Sequence, residues 1–211
     1  HVVFAVDRAG LVGADGETHH GVFDVNYLCA VPGMKVLCPA SFAELQRMLM
    51  MAVEDLEGPV AVRYPRGEEG NYQGFSLAPV VVHSQGDDLT VICYGAMINC
   101  VLEAEELLKK QGISCDVIRL TRLDVPDMDM ILNSVQKTKR LLVPEEAASA
   151  GCMGNRILAA CAERGVVPIT AKCQNLGSGI VPQGKVDELR ALYALDGAGI
   201  AYTALSMLDR L

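Results

Sequence analysis

Residues 7–21 concentrate the side chains in this chain that are best suited to chemistry. The segment reads DRAGLVGADGETHHG and places acidic, basic and imidazole groups on a frame of glycines. Imidazole exchanges protons near neutral pH, and a neighbouring carboxylate can orient it or accept a substrate hydroxyl. Glycines let a ligand approach the backbone closely. We therefore predict a substrate loop here, and the alternative is a solvated loop whose polar groups satisfy one another.

A second candidate is the sequence RYPRG at residues 63–67, which closes a predicted strand over Val60–Tyr64. A guanidinium at a strand end can bind a carboxylate or a phosphate through two parallel hydrogen bonds. Arg66 lies beyond the strand and is the better anion ligand. Arg63 lies inside the strand pattern, which favours a structural ion pair over ligand binding.

Three weaker features have structural interpretations that we favour. Glu145 and Glu146 could form an acid pair, but adjacent residues at a strand end often point apart, which favours a structural or interface role. Gly151–Gly154 could bind an anion at a helix N-terminus, but close packing is the favoured interpretation. His83 is predicted to be an exposed strand residue rather than a ligand. The chain contains no GxSxG, P-loop or HExxH sequence.

Composition argues against several classes of function. The chain has 18 basic and 26 acidic residues among 211, a formal net charge of −8, and only 5% aromatic residues. Both values argue against a nucleic-acid binder, which needs a basic face or a stacking platform. Hydrophobic residues make up 51%, enough to bury a core. No apolar run reaches the ~18 residues of a membrane-spanning helix.

The cysteines and the N-terminal sequence indicate the cellular compartment of the chain and its relation to a larger protein. The eight cysteines contain no CxxC pair, and most lie in apolar runs. This favours buried reduced thiols in a cytosolic protein over disulfides or zinc ligands. The sequence HVVFAVDRAG lacks the features of a signal peptide. This N-terminal sequence is typical of a strand in the middle of a domain, so we expect the chain to be part of a larger protein.

Strands alternate along the chain with helices of ten or more residues, which predicts βαβ units and mostly parallel sheets. The pattern SFAE at residues 41–44 predicts a capping box. A polar, glycine-rich segment at 67–79 separates a small first set of strands from a larger second set. We expect Val80–His83 to pair with the following strand, Pro168–Lys172 to be the last strand, and Gly199–Leu211 the last helix. The predicted fold class is α/β, with two mostly parallel-sheet units.

Three motifs together point to a family. DRAGLVGADGETHHGVFD at 7–24, VAVRYPRG at 60–67 and VPQG at 181–184 closely resemble the C-terminal third of the 1-deoxy-D-xylulose-5-phosphate synthases, thiamine-diphosphate enzymes of the transketolase superfamily. The resemblance implies that residues 1–78 are the C-terminal half of a pyrimidine-binding domain and residues 79–211 a transketolase C-terminal-type domain. It also implies a reaction that condenses pyruvate with glyceraldehyde 3-phosphate, releases carbon dioxide and feeds isoprenoid and thiamine synthesis.

The resemblance assigns roles to individual residues only where the motifs match. Arg8, in DRAG, and Arg66, in YPRG, resemble the two arginines that hold the acceptor phosphate. Two guanidiniums on one dianion is also the arrangement that electrostatics favours. Asp15, in GADG, resembles the residue that contacts the acceptor hydroxyl or aldehyde. His19, in THHG, resembles the histidine that assists proton transfer near the thiazolium.

His20 and Tyr64 are expected to lie behind these residues rather than touch the substrate. The family's metal motif, GDG followed by an asparagine, is absent, and its glutamate and aromatic residues for the aminopyrimidine lie upstream. The resemblance implies thiamine diphosphate and Mg in the complete enzyme, with no metal site, no bound cofactor and no activity on this chain alone. It further implies a missing N-terminal diphosphate-binding domain, a cytoplasmic homodimer when complete, and neither nucleic-acid nor membrane partners.

The chain departs from the family pattern in its second unit, at AASAGCMGN (147–155), LDVPD (123–127) and NLGSGI (175–180). These changes bear on interdomain packing more than on chemistry. Two other functions stay open on the sequence: a non-catalytic assembly or dimerisation module, and a subunit of a related transketolase or 2-oxoacid dehydrogenase. The intact ADGETHHG loop argues against a pure scaffold, which has no need of two adjacent histidines.

Overall fold

The N-terminal part of the chain forms a small parallel sheet flanked by helices. The computed structural model describes residues 1–210, apart from the side chain of Ala14. The first unit comprises β1 (Val2–Val6), α1 (Asp24–Leu28), β2 (Lys35–Leu37), α2 (Phe42–Glu54) and β3 (Pro59–Arg63). Strand β3 lies between β1 and β2 and runs parallel to both. Its apolar residues are buried, as in a central strand covered on both faces.

The rest of the described chain forms a larger sheet with helices around it. The second unit comprises β4 (Val80–Ser84), β5 (Leu89–Tyr94), α3 (Ile98–Lys109), β6 (Cys115–Leu120), α4 (Met128–Thr138), β7 (Arg140–Pro144), α5 (Met153–Glu163), β8 (Thr170–Gln174), α6 (Val186–Leu192) and α7 (Gly197–Met207). The strand order is β4-β6-β5-β7-β8. All pairings are parallel except that of β4 with β6.

The predicted α/β class with mostly parallel sheets is confirmed, but two strand assignments in the second unit were wrong. Strand β4 pairs with β6 rather than with the following strand β5, because β5 has parallel partners on both edges. Strand β8 begins at Thr170 instead of Pro168, because its pairing with β7 begins at the couple Arg140–Thr170. Helix α7 begins at Gly197, two residues earlier than predicted, and ends at Met207, before the predicted end at residue 211, which itself lies outside the described residues.

His83 on β4 is half-buried, so its predicted exposure was wrong. The glycine-rich segment 67–79 folds back onto the sheet, and the ring of Tyr72 packs edge-on against His83 with centroids 5.3 Å apart. Arg119 Nε donates to His83 Nε2 at 3.3 Å. Burial lowers the pKa of His83. The segment between the two sets of strands is therefore packed against both units rather than a free linker.

The start of α2 forms only one half of the predicted capping box. Ser41 Oγ accepts from the Glu44 amide at 3.3 Å, as an N-cap does. The Glu44 carboxylate accepts from the amide of Ala40 rather than that of Ser41, and from the amide of Ser76. The Glu44 carboxylate also binds a buried cation in the second unit, which places it beside the Ala40 amide rather than the Ser41 amide.

That cation is Arg119 on β6, and the two side chains form an ion pair that joins the units. Arg119 donates to the two Glu44 oxygens at 2.9 and 2.6 Å, and both side chains are 0% exposed. The Arg119 guanidinium also lies 5.0 Å from the centroid of the Tyr72 ring. The apolar core is shared as well, since residues of β2 and β3 cluster with residues of β5 and β6.

The cysteines carry no cross-links in the part of the chain that the structure describes. All eight thiols are free, and six of them are buried. Burial raises the pKa of Cys38 and Cys93 to about 12, which makes these thiols unreactive. Among residues 1–210, no group of three or more His, Cys, Asp or Glu side chains is placed to hold a metal ion. The described helices include none with the length and apolarity needed to cross a membrane.

The buried pair predicts a large stability effect from its loss. We expect Glu44→Ala to lower the free energy of unfolding by about 3 kcal/mol, because it leaves the Arg119 charge buried without a partner. Asp55→Ala is the matched control, since its ion pair with Arg47 is solvent-exposed and worth at most about 1 kcal/mol. Urea denaturation measures both variants. Equal effects would contradict the role given to the buried pair.

Candidate substrate site

The predicted substrate loop leaves the carboxyl end of β1 and closes on itself. Gly10 and Gly21 exchange two backbone hydrogen bonds of 2.8 and 2.9 Å, which form the base of the loop. Between them lie two short 3₁₀ turns, Gly13–Asp15 and Glu17–His19. The loop starts at Arg8, whose φ of 58° lies in the left-handed region. This conformation costs a non-glycine residue on the order of 1 kcal/mol, so the surrounding contacts hold it there.

The structure brings Arg8, Asp15 and Arg66 together. Arg8 Nε donates to Asp15 Oδ2 at 2.8 Å, and Arg66 Nη1 donates to Asp15 Oδ1. Arg8 also contacts Asp7. The two guanidiniums come from the ends of neighbouring parallel strands, β1 and β3, where ligands bind in open α/β sheets. The side chain of Arg66 is 55% exposed and that of Arg8 36%, so both can reach a ligand from solvent.

Asp15 is held in its ionised form between these arginines. Hydrogen bonds from Arg66 and then from Arg8 lower the pKa of Asp15 to about 2. The carboxylate therefore occupies the position between two guanidiniums that an incoming anion would favour. A phosphate dianion that binds here must share the arginine donors with Asp15 or displace it.

The two histidines of the loop have different surroundings. His19 is exposed, and its Nδ1 lies 3.0 Å from Thr18 Oγ1. Within the described part of the chain, His19 Nε2 makes no hydrogen bond and is open to a ligand. His20 is 8% exposed, and its Nδ1 accepts from the Val12 amide at 3.0 Å. Its Nε2 therefore carries the proton and faces the Pro182 carbonyl at 3.3 Å.

Two residues beside the loop support its backbone. Tyr64 is half-buried against the apolar cluster of the first unit, and its carbonyl accepts from the Ala9 amide at 3.0 Å. Arg63 is buried and donates to Asp24 at 2.7 Å and to the Gly21 carbonyl at 2.9 Å. The predicted structural ion pair of Arg63 is therefore confirmed, and Asp24 is its partner.

The second unit contacts the loop through residues that sequence reasoning left without a partner. Glu146 accepts from the Leu11 amide at 3.0 Å and from Arg190 Nε at 2.7 Å. Gly13 packs against the backbone of Gly184, where a Cβ would lie 2.8 Å from the carbonyl oxygen. The structural interpretation of Glu146 is confirmed. Arg190 was missed, because its helix α6 reads as an ordinary amphipathic surface helix.

Glu145 points away from Glu146, as predicted for adjacent residues. It accepts from Tyr94 Oη at 2.9 Å and from the amides of Met153 and Gly154 at 3.0 and 2.9 Å. The N-terminus of α5 is thus filled by an internal carboxylate. Burial raises the pKa of Glu145 to about 8. Gly154 also packs closely, since a Cβ there would lie 2.6 Å from Cys173 Sγ, so the favoured packing interpretation is confirmed.

A cavity of about 620 Å³ adjoins the loop on the side of the second unit. Its wall includes Leu11 and Arg66 from the first unit and Asn99, Glu103 and Arg190 from the second. A smaller hollow of about 300 Å³ lies on the other side, against Thr18, His20, Phe23 and Ile180. The loop therefore borders two open spaces, and Arg66 of the Arg8–Asp15–Arg66 cluster lines the larger one.

The fold and these motifs define the class of protein. The family profile described as "Transketolase, pyrimidine binding domain" matches residues 1–70, and the one described as "Transketolase, C-terminal domain" matches residues 78–200. The chain belongs to the transketolase family. A solved structure described as "Split gene transketolase, inactive beta4 tetramer" superposes with a TM-score of 0.84 over 99% of this chain and 67% of that one. At 24% identity this likeness shows the fold alone.

Within the family, the chain is similar to 1-deoxy-D-xylulose-5-phosphate synthases, which confirms the resemblance of the three motifs. It is 36% identical to the enzyme of Halothermothrix orenii over 99% of this chain and 34% of that protein. It is 39% identical to synthase 2 of Geobacter sulfurreducens over 95% of this chain and 33% of that protein. The chain thus spans about a third of the length of these relatives and corresponds to their C-terminal portion.

The position of Asp15 predicts its effect on anion binding. We expect Asp15→Asn to bind inorganic phosphate roughly five-fold more tightly than the parent protein, because a negative charge between two guanidiniums is removed. Since the pKa of Asp15 is about 2, the difference persists down to pH 5. Titration calorimetry at low ionic strength measures it.

The control for this prediction is Asp7→Asn, which removes an exposed carboxylate that touches Arg8 alone. We expect a smaller gain in phosphate affinity from this change, since Arg66 keeps its partner. Unchanged or weaker phosphate binding by Asp15→Asn would contradict the view that Asp15 competes with the anion.

Proposed function

We propose that this chain supplies the acceptor side of a thiamine-diphosphate-dependent synthase. The reaction condenses pyruvate with glyceraldehyde 3-phosphate, gives 1-deoxy-D-xylulose 5-phosphate and releases carbon dioxide. In this proposal residues 1–78 are the C-terminal half of the pyrimidine-binding domain, and residues 79–211 are the transketolase C-terminal-type domain. The names of the relatives and their match to almost the whole chain support the choice of reaction.

One observation carries the proposal: two arginines from neighbouring strand ends converge on a single carboxylate. A phosphate dianion fits two guanidiniums better than a carboxylate does, because it carries more charge and more acceptor oxygens. Arg8 and Arg66 would therefore hold the phosphate of the acceptor. Asp15 would then be free to contact the hydroxyl or aldehyde group of the acceptor. In a three-carbon substrate these groups lie close to the phosphate.

His19 is the proposed proton carrier of the site. Its exposed Nε2 faces away from Thr18 and is the ring nitrogen available to a substrate. An imidazole in this setting can give a proton to the oxygen of the acceptor as the new bond forms, or take one from an intermediate. His20 is a poor candidate for this task, because both of its nitrogens are engaged with the protein.

The described residues do not fit the metal and diphosphate of the cofactor. Among residues 1–210 no acidic cluster could hold Mg, and the asparagine-containing metal motif is absent from the sequence. Thiamine diphosphate supplies the electron sink of such reactions when it is bound. We propose that a separate N-terminal diphosphate-binding part holds it with Mg, and that this chain alone forms no product. The complete enzyme would be a cytoplasmic homodimer.

The edge of the first sheet is a suitable place for the proposed diphosphate-binding part. Strand β1 is an edge strand of the three-stranded sheet, and its side chains Val2 and Phe4 are 54% and 44% exposed. An uncovered apolar edge strand in a parallel sheet is unusual and invites pairing with another strand. Because the relatives are about three times longer than this chain, they have the length to cover it.

A second candidate function is a non-catalytic assembly subunit. The sequence leaves this alternative open, because the chain lacks the metal motif of the family. The same absence would also suit one subunit of a split synthase or of a related transketolase. The Arg8–Asp15–Arg66 cluster argues for the catalytic alternative, since an assembly module has no use for two solvent-accessible arginines at neighbouring strand ends.

The proposed phosphate ligands predict a selective change in substrate affinity. In the complete enzyme, we expect Arg66→Ala to raise the KM for glyceraldehyde 3-phosphate roughly thirty-fold, consistent with loss of a charge-assisted hydrogen bond of about 2 kcal/mol. The KM for pyruvate should stay the same. Arg47→Ala, which removes an exposed arginine of α2, should change neither value. A rise in both KM values after Arg66→Ala would contradict the assignment.

The role of His19 predicts a loss of turnover. We expect His19→Ala to lower kcat roughly 100-fold in the complete enzyme, as for loss of a general acid or base. Product is measured by mass spectrometry from pyruvate and glyceraldehyde 3-phosphate. An unchanged kcat would favour the assembly function over the catalytic one, and product formation by the 211-residue chain alone would refute the need for a partner.

A further inference from the structure

Glu146 lies in the second unit, yet its carboxylate is bonded to the substrate loop of the first. The Leu11 amide donates to Glu146 Oε2 at 3.0 Å across 135 residues of sequence. The other oxygen, Oε1, accepts from Arg190 Nε at 2.7 Å. The Glu146 side chain is 10% exposed and that of Arg190 22%. A buried carboxylate with both oxygens engaged is satisfied in charge and in hydrogen bonding, and so can hold a fixed position.

The amide that Glu146 holds is linked to Asp15 through the next residue, Val12. Val12 donates its amide to His20 Nδ1 at 3.0 Å. The Val12 carbonyl accepts from the Asp15 amide at 3.5 Å and begins the turn Gly13–Asp15. Three hydrogen bonds therefore hold the backbone from Leu11 to Asp15, whose carboxylate lies between the two arginines.

The loop is shaped so that Glu146 can approach it. Gly10 has a φ of +78°, and a Cβ at this position would lie 2.0 Å from Glu146 Oε2. Any other residue would push the carboxylate off the Leu11 amide. The side chain of Leu11 is 2% exposed and packs in the core cluster of the second unit. Glycine at 10, leucine at 11 and glutamate at 146 therefore form one fitted contact.

We propose that Glu146 is a positioning residue for the acceptor site, acting through the Leu11 backbone, and that Arg190 holds Glu146 in place. In this arrangement the second unit sets the distance between Asp15 and the two arginines, although it contributes no group that touches the substrate. The inference rests on the proposed function for its catalytic consequence. Its structural part, the restraint on the loop, stands on the contacts alone.

The test uses the complete enzyme with Glu146→Ala and Glu146→Gln. The alanine removes both acceptor oxygens, whereas glutamine keeps the size and one acceptor for the Leu11 amide. We expect Glu146→Ala to raise the KM for glyceraldehyde 3-phosphate roughly ten-fold and to leave the KM for pyruvate unchanged, with Glu146→Gln recovering most of the loss. Glu103→Gln is the matched control, because its carboxylate lines the same cavity as Arg190 and does not contact Leu11.

A second readout does not depend on activity. Hydrogen exchange of the segment 8–13 should be at least roughly ten-fold faster in Glu146→Ala than in the parent protein, and unchanged in Glu103→Gln. If the parent enzyme forms no product, the proposed function fails, and the exchange rates still decide whether Glu146 restrains the loop. Unchanged exchange in Glu146→Ala, or equal shifts in both KM values, would overturn the inference. Should Glu146→Ala fail to fold, Arg190→Gln carries the same test with smaller expected shifts, because it removes the cation that holds Glu146.

Discussion

The proposed acceptor site depends on holding two positive charges, those of Arg8 and Arg66, close together. The guanidiniums of Arg8 and Arg66 repel each other, and they share a site because the Asp15 carboxylate lies between them. That carboxylate must stay ionised and in place, which the pKa of about 2 and the 3₁₀ turn of Gly13–Asp15 provide. The left-handed backbone conformation of Arg8 and the two hydrogen bonds between Gly10 and Gly21 also help to position Asp15. Both direct the loop across the carboxyl ends of β1 and β3.

The second unit is part of this arrangement rather than an appendage. Its sheet shares a core with the first unit, and the Glu44–Arg119 pair is buried where the two meet. The segments that follow β7 and precede α6 both reach the substrate loop, through Glu146 and Pro182. The proposed acceptor site therefore has its ligands on one unit and part of its supporting framework on the other.

The sequence predicted the features that depend on neighbouring residues or on a repeating pattern of apolar residues. The alternation of strands and helices, the N-cap at Ser41 and the structural pairing of Arg63 follow from spacing and residue type within short windows. The clustering of Arg8 with Arg66 was expected only from the resemblance of DRAG and YPRG to the family's phosphate-binding arginines, and the structure places both residues beyond the ends of the neighbouring parallel strands β1 and β3. The family motifs added the expected roles, which residue types alone left open.

What the sequence could not predict are contacts made over long separations. The sequence around Glu44 is typical of a capping box, but the Glu44 carboxylate binds Arg119 on β6, 75 residues away, instead of completing the box. Glu146 is separated from Leu11 by 135 residues, and an adjacent acidic pair gives no sign of which oxygen meets which amide. The pairing of β4 with β6 depends in the same way on which edges of β5 are already occupied.

The most direct test of this account is a crystal structure of the complete protein with a phosphate-bearing three-carbon acceptor bound. We expect the phosphate to lie between Arg8 and Arg66, within hydrogen-bond distance of both guanidiniums, and Asp15 to have moved off at least one of them. A phosphate bound elsewhere, with the Arg8–Asp15–Arg66 cluster unchanged, would contradict it.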